Sequence, residues 1–278
     1  MMKTIKIKKF CIGKNQPLAI ICGPCVIESE DHALFCAERL MNIFKRFPEL
    51  NFIFKSSYDK ANRSAHSSFR GPGIQKGLEI LAKIQQAFDL PVLTDIHSSE
   101  EAVEAAKVVE IIQIPAFLCR QTDLIVAAAQ TGAILNIKKG QFMSPWDMQN
   151  VINKILISGN DQIILTDRGT SFGYNNLVSD MRAIPIMQEM GYPACYDASH
   201  SVQLPGGLGN ASGGQRQFIP PLAQAAIAAG ANCLFIEVHP NPTKAKSDKE
   251  SVLAFDVLPK LLTTISQIYQ IVQKCEIC

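Results

Sequence analysis

Short apolar runs rich in Val, Ile and Phe recur along the chain, separated by longer segments whose apolar residues fall at helical spacing. Eight runs stand out: Leu18 to Cys25, Asn51 to Tyr58, Pro91 to His97, Ile111 to Leu118, Ala133 to Lys139, Gln162 to Arg168, Pro193 to His200 and Cys233 to His239. Helix starts between them are marked by capping residues ahead of amphipathic stretches. These are Ser29-Glu30-Asp31 before Leu34, Leu40 and Phe44, then Ser98-Ser99-Glu100-Glu101, and Ser144-Pro145 before Met148 and Ile152. The last helix is expected over Ser251 to Lys274. Strand and helix alternating in this way predict an α/β chain built on a parallel sheet. No linker, sequence repeat or low-complexity tract interrupts the units, which favours closure into a single-domain (β/α)8 TIM barrel over an open doubly wound sheet. The domain is expected to span residues 1–278. Residues 1–12 alternate as a short hairpin would, with Ile5, Ile7 and then Phe10 after Lys8-Lys9, and are expected to plug the bottom of the barrel.

Composition bounds the partners. At 278 residues and 47% hydrophobic, the chain can bury a large core as one domain. Its 27 basic and 25 acidic residues are mixed along the chain, with no basic run to grip nucleic acid, so any basic site must be local. The start lacks the apolar core of a signal peptide, and no apolar stretch approaches the ~20 residues of a membrane span. A cytoplasmic location without membrane partners is expected. Cysteine is odd in number, with Cys22, Cys195 and Cys233 inside apolar runs, which suits buried reduced thiols. The terminal Cys275-x-x-Cys278 pair sits in a segment expected to fray and carries no functional signal of its own.

The strand ends carry the chemistry, because the C-terminal face of such a barrel is its active face. They read Cys25 and Glu28; Lys55, Ser57 and Lys60; Asp95 and His97; Gln113; Asn136 and Lys138; Asp167 and Arg168; Asp197 and His200; Glu237 and His239. One or two charges there would be ordinary solvated ends. Lys55, Lys138 and Arg168, however, follow directly on buried-looking runs, where an unpaired charge costs several kcal/mol. Too few carboxylates are expected beside them, so a bound phosphate or carboxylate is expected to serve as partner. The loop Lys60-Ala61-Asn62-Arg63-Ser64 to Gly73 could wrap a second phosphate, although a Gly-rich turn with nearby Arg is by itself a weak signal. Cys25, His200 and Glu237 end the first, seventh and eighth runs, which become neighbours on closure, and Asp248 follows in the next loop. A thiolate, an imidazole and two carboxylates suit Zn, Fe(II) or Mn. A lone Cys is otherwise a small hydrophobe and a lone His a hydrogen-bonding residue. No Walker loop, Rossmann glycine fingerprint or nucleophile elbow stands in the right context.

Several segments together are far more specific: Phe54-Lys55-Ser56-Ser57-Tyr58-Asp59-Lys60-Ala61-Asn62-Arg63-Ser64, Gln113-Ile114-Pro115-Ala116-Phe117-Leu118, Asp167-Arg168-Gly169, Asp197-Ala198-Ser199-His200-Ser201 and Phe235-Ile236-Glu237-Val238-His239-Pro240. Over about Leu18 to Ser251 the chain resembles the 3-deoxy-D-manno-octulosonate 8-phosphate synthases, within the superfamily that includes the 3-deoxy-heptulosonate 7-phosphate (DAHP) synthases. The resemblance implies condensation of phosphoenolpyruvate with D-arabinose 5-phosphate and water, in lipopolysaccharide synthesis. It implies that Lys55, Ser57, Lys60, Lys138 and Arg168 hold phosphoenolpyruvate, with Gln113 and Ala116 lining the site. It further implies that Asn62, Arg63 and Ser64 hold the pentose phosphate, partly across an interface of a homotetramer. Cys22-Gly23-Pro24-Cys25 looks like the metal-dependent branch of that family. This carries over Cys25, His200, Glu237 and Asp248 as ligands of a divalent metal, and leaves Cys22 as buried strand.

The chemistry required is consistent with these residues. The methylene carbon of phosphoenolpyruvate must attack an aldehyde while water adds to its neighbour, so two phosphates and developing positive charge must share one pocket. Lys and Arg clamps supply orientation and charge stabilisation. Asp95 and His97 are candidates for proton transfer or for hydrogen bonds to sugar hydroxyls, His97 the better placed by its ordinary pKa. The rivals are a DAHP synthase acting on erythrose 4-phosphate and a catalytically dead sugar-phosphate-binding barrel. Such a DAHP synthase carries Lys-Pro-Arg-Thr-Ser where this chain has Lys60-Ala61-Asn62-Arg63-Ser64.

Overall fold

The computed structural model describes residues 2–207 and 212–274. Eight parallel strands form its centre: β1 (Ala19–Gly23), β2 (Asn51–Lys55), β3 (Val92–Asp95), β4 (Ile111–Ile114), β5 (Ile134–Lys138), β6 (Ile163–Asp167), β7 (Ala194–Asp197) and β8 (Cys233–His239). Each pairs with its sequence neighbours. The ring closes where Cys233 to Glu237 of β8 pair with Ala19 to Gly23 of β1, leaving no edge to protect. Helices α1 (Glu30–Phe44), α2 (Ile74–Phe88), α3 (Ser99–Ala106), α4 (Thr122–Gln130), α5 (Met148–Ile157), α6 (Ala183–Glu189), α7 (Ile219–Ala228) and α8 (Leu258–Lys274) each follow one strand. The fold is the expected (β/α)8 barrel. No helix among the described residues is long and apolar enough to cross a membrane.

Period-two alternation along the strands separates two cores. Ala19, Ile21, Ile53, Leu93, Ile111, Ile134, Ile164, Cys195, Cys233 and Phe235 point into the barrel and pack together. Their sequence neighbours, such as Ile20, Cys22, Phe54 and Ile112, point outward against the helices. Cys22 is therefore buried strand facing α1, on the side away from the barrel interior. Ile5, Ile7 and Ile12 of the N-terminal hairpin belong to the inner core. Its strands Ile5–Ile7 and Phe10–Ile12 pair antiparallel and seal the end of the barrel opposite the strand C-termini.

Local capping matches two of the three signals, since Ser98 precedes α3 without a side-chain capping hydrogen bond. The Ser29 hydroxyl accepts from the His32 N–H at 3.1 Å at the start of α1, and Ser144 forms a capping box with Asp147 ahead of α5. The last helix is a correction: it begins at Leu258, not Ser251. Leu253 and Ala254 are instead extended and pair with Val238 and His239, prolonging β8 with an extra parallel strand. Cys11, Cys22, Cys25, Cys36, Cys119, Cys195 and Cys233 are free thiols, while Cys275 and Cys278 lie outside the described residues.

Candidate active site

The alternation that fills the barrel with apolar side chains also aims the ends of its strands. Two residues beyond Ile21, Ile53, Leu93, Ile111, Cys195 and Phe235 stand Gly23, Lys55, Asp95, Gln113, Asp197 and Glu237, on the same inward face. Four residues beyond Ile134 and Ile164 come Lys138, the last residue of β5, and Arg168, just past the end of β6. A cavity of about 400 Å³ opens above them, lined among others by Lys55, Ser57, Lys60, Asn62, Arg63 and Ser64. Asp95, Gln113, Ala116, Lys138, Arg168, His200, Gln203 and Asp248 also line it, whereas His97 stands behind Asp95, outside the lining. Below it, Asn136 donates to Gln113 Oε1 at 3.0 Å and accepts from the Thr166 hydroxyl, so the polar floor is satisfied internally.

The expectation that Lys55 and Lys138 lack carboxylate partners is overturned. Lys55 Nζ donates to Glu237 Oε1 at 2.6 Å and to the Cys25 carbonyl at 2.9 Å. Lys138 Nζ is paired with Asp197 and lies 3.6 Å from the centre of the Phe235 ring. Closure is the reason: it brings β7 and β8, remote in sequence, across the barrel from the lysines of β5 and β2. Burial outweighs the Asp197 carboxylate and lowers the pKa of Lys138. Arg168 fits the expectation better. Its Nη2 donates to Gln203 Oε1 at 2.6 Å, but the buried Nη1 has no partner among the described residues. A buried guanidinium N–H without an acceptor is costly, and an anion entering the cavity would relieve it.

Cys25, Glu237 and Asp248 place one donor atom each within 4.8 Å of one another. Cys25 Sγ is 3.0 Å from Asp248 Oδ2. His200 stands at the edge of this group, its Nε2 3.7 Å from Glu237 Oε2. Asp197 Oδ2 lies 2.7 Å from His200 Nδ1, which puts the ring proton on that nitrogen and leaves the Nε2 lone pair facing the group. Two observations fit this set to a divalent cation. Glu237 Oε2 is buried without a hydrogen-bond partner among the described residues. Burial, with the Glu237 and Asp248 carboxylates adding to it, pushes the Cys25 thiol well up, so the thiolate forms there only against a bound cation. Asp248 is held with φ of 49°, a left-handed conformation uncommon for Asp, and its carbonyl accepts from Ser251 N at 2.8 Å.

On the far side, His97 Nε2 is 3.1 Å from Asp95 Oδ2, and its backbone N–H donates to Glu101 Oε2 at 2.6 Å. Glu101 also accepts from the Tyr58 hydroxyl at 2.7 Å. Burial opposes the charged ring, but the hydrogen bonds and charges of Asp95 and Glu101 prevail and lift His97 to about 9. The expectation that His97 keeps its ordinary pKa does not hold, and the ring is charged at neutral pH. Asn62, Arg63 and Ser64 lie on the rim, where Arg63 Nε donates to the His66 carbonyl at 3.3 Å.

Three partnerships had no sequence signal of their own. Glu101 is marked in the sequence only as a helix-start residue. Gln203 bridges Arg168 and Asp248, and is unremarkable in a chain without its fold. Lys139, fully buried on the outward face, pairs with Asp167 Oδ1 at 3.3 Å and donates to the Met143 carbonyl at 3.2 Å, pinning the loop beside Arg168. A second acidic and histidine group, Glu28, His32 and His239, also gathers within 4.8 Å. There the Asn241 N–H donates to His239 Nδ1 at 3.0 Å, so the ring proton sits on Nε2 and points to Glu28 Oε1 at 3.2 Å. A protonated Nε2 cannot ligate a metal, and the group is a hydrogen-bonded staple between the first and last loops.

A closed barrel with cationic clamps and a thiol-imidazole-carboxylate group at its strand ends defines an α/β-barrel enzyme class that handles anionic small molecules. Residues 2–274 match the model of the DAHP synthetase I family, and the chain belongs to that family. Among similar proteins, the 2-dehydro-3-deoxyphosphooctonate aldolase of Protochlamydia amoebophila (strain UWE25) is 64% identical over 98% of this chain and 99% of its own. The proteins of the same name from Geotalea daltonii and Geobacter sulfurreducens are 55% and 54% identical, each over 98% of this chain and all of their own length.

Proposed function

We propose that this chain is a 2-dehydro-3-deoxyphosphooctonate aldolase, condensing phosphoenolpyruvate with D-arabinose 5-phosphate and water to the eight-carbon sugar acid phosphate and inorganic phosphate, for lipopolysaccharide synthesis. The observation that carries this reading is the gathering of Lys55, Ser57, Lys60, Asn62, Arg63, Ser64, Gln113, Ala116, Lys138 and Arg168 around one cavity. The methylene carbon of phosphoenolpyruvate bonds to the aldehyde carbon, water adds at the adjacent carbon, and the phosphate leaves with its bridging oxygen. Lys55, Lys60, Lys138 and Arg168 hold the carboxylate and phosphate, with Arg168 Nη1 the free donor. Gln113 and Ala116 bound the reacting carbons. Asn62, Arg63 and Ser64 take the pentose phosphate at the rim. His97, held between Asp95 and Glu101, positions the Asp95 carboxylate, whose Oδ1 has no partner among the described residues, to accept from a sugar hydroxyl.

Cys25, His200, Glu237 and Asp248 are the residues that would hold a divalent metal. When bound, Zn, Fe(II) or Mn supplies Lewis-acid charge to orient the aldehyde or the water. Electrostatics support this assignment. Lys55, Lys60, Lys138 and Arg168 face the carboxylates of Asp95, Asp197, Glu237 and Asp248, so the protein groups nearly cancel before two phosphorylated substrates enter. A divalent cation tips the balance toward the anions. A homotetramer fits the exposed aromatic side chains Phe117, Phe142, Trp146, Phe172 and Tyr174. The free thiols fit a reducing cytoplasm, and the unbroken barrel core fits one domain over residues 1–278 with 1–12 as its extension.

The test is phosphate release from phosphoenolpyruvate with arabinose 5-phosphate or erythrose 4-phosphate, before and after EDTA, for the native chain and Cys25→Asn. Faster turnover with arabinose 5-phosphate, lost on chelation and restored by added metal, is expected. Faster turnover with erythrose 4-phosphate would make the chain a DAHP synthase, and binding without phosphate release a non-catalytic barrel. Full activity of Cys25→Asn, or after exhaustive chelation, would remove the metal from the reading.

A further inference from the structure

Gln203 hydrogen-bonds both Arg168 of the anion clamp and Asp248 of the metal-binding group. Its Oε1 accepts from Arg168 Nη2 at 2.6 Å and its Nε2 donates to Asp248 Oδ1 at 2.6 Å. The orientation of the amide is unambiguous, because a guanidinium can only donate and a carboxylate can only accept. The residue is 9% exposed. It leads the short strand Gln203–Leu204, which pairs antiparallel with Gly213–Gly214. That strand is pressed against the loop of Asp248: a Cβ on Gly214 would lie 2.7 Å from the Glu250 carbonyl oxygen. Both ends of the bridge are thus held by backbone, and the amide spans a fixed gap.

The two groups it joins have opposite tasks. Arg168 has its remaining buried donor, Nη1, without a partner among the described residues. Asp248 turns its other oxygen, Oδ2, to Cys25 Sγ at 3.0 Å. A Glu at position 203 would serve Arg168 but repel Asp248, and an apolar residue would serve neither. Only a neutral side chain with a donor and an acceptor satisfies both at once.

We infer that Gln203 is a positioning residue that couples the anion clamp to the metal-binding group, so that phosphoenolpyruvate and the divalent cation bind cooperatively. The inference rests on the function proposed above. When the anion draws Arg168 toward itself, the amide transmits the displacement to Asp248; when a cation draws Asp248, the reverse occurs. Coupling of this kind is reciprocal: each ligand changes the affinity of the other by the same factor, typically about 5- to 150-fold.

The experiment is calorimetric titration of EDTA-stripped full-length protein with Mn2+, with and without phosphoenolpyruvate, and the converse titration, for the native chain, Gln203→Met and Gln203→Glu. The native protein is expected to bind Mn2+ more tightly with phosphoenolpyruvate present, by the factor found in the converse titration. In Gln203→Met the Mn2+ affinity is expected to drop roughly 10-fold, as for lost outer-shell partners of metal ligands, and the coupling factor to fall toward one. Gln203→Glu, which keeps the acceptor for Arg168, is expected to lose the coupling with phosphoenolpyruvate affinity less affected. Circular dichroism identifies a variant that has failed to fold, and the other then decides. Absence of coupling in the native protein, or native Mn2+ affinity and coupling in a folded variant, overturns the inference and leaves the proposed reaction standing. Native protein that binds neither ligand and releases no phosphate overturns the reaction itself.

Discussion

His97 shows how a single environment reassigns a residue. In an extended chain its imidazole would titrate near 6.5, within reach of either proton transfer role. In the barrel, Asp95 and Glu101 overcome the cost of burial and lift it to about 9. A group whose folded pKa is raised contributes stability that is fully present below about 6.5 and is lost as pH rises through about 9. The expected result is an NMR titration midpoint for this ring near 9, with kcat/KM declining on the alkaline side at the same pH. In His97→Asn that limb should disappear. A ring midpoint near 6.5 would show that the Asp95 contact does not form in solution. The place of His97 at a strand end was legible in the sequence. Its charge was not, because Glu101 enters only when α3 packs over the mouth.

At the scale of elements, the spacing of β1 and β2 rests on one missing side chain. A Cβ at Gly23 would lie 1.9 Å from the carbonyl oxygen of Lys55, a backbone atom that cannot swing away. Gly23→Ala is therefore expected to force the two strands apart, at a cost of about 2–3 kcal/mol by the measure of overpacked cores. It should also weaken phosphoenolpyruvate binding, since Lys55 sits at the displaced position. Thermal melts and KM for phosphoenolpyruvate check both effects, and an unchanged melting midpoint would refute the first. The strands themselves were readable because buried runs of β-branched and aromatic residues have few other homes. The start of α8 was not. Residues 251–257 carry helix-compatible side chains, yet Leu253 and Ala254 find unpaired backbone on β8, and that tertiary hydrogen bonding overrides local preference.

For the whole molecule, the mouth concentrates buried carboxylates whose charge is maintained by neighbours. Burial alone would raise Asp95, Asp197, Glu237 and Asp248, but His97, His200, Lys55, Lys60 and Lys138 hold all four below the ordinary carboxylate range. Groups with lowered folded pKa values contribute stability above their unfolded values, near 4, and lose it as pH falls toward the folded ones. The melting midpoint is expected to fall steeply below about pH 4, and Asp197→Asn should flatten that fall while lowering stability at pH 7. A midpoint that stays level to pH 3 would contradict these pairings. By itself the sequence determined the eight strands, the alternation of helices between them, the hairpin, and the set of polar residues at strand ends, because burial period is a local property. It did not determine which charges meet. Lys55 with Glu237, Lys138 with Asp197 and Gln203 between Arg168 and Asp248 are far apart along the chain. Only closure of the barrel, which converts strand order into a ring of facing side chains, decided those partners, and with them that the basic cluster is mostly neutralised before a substrate arrives.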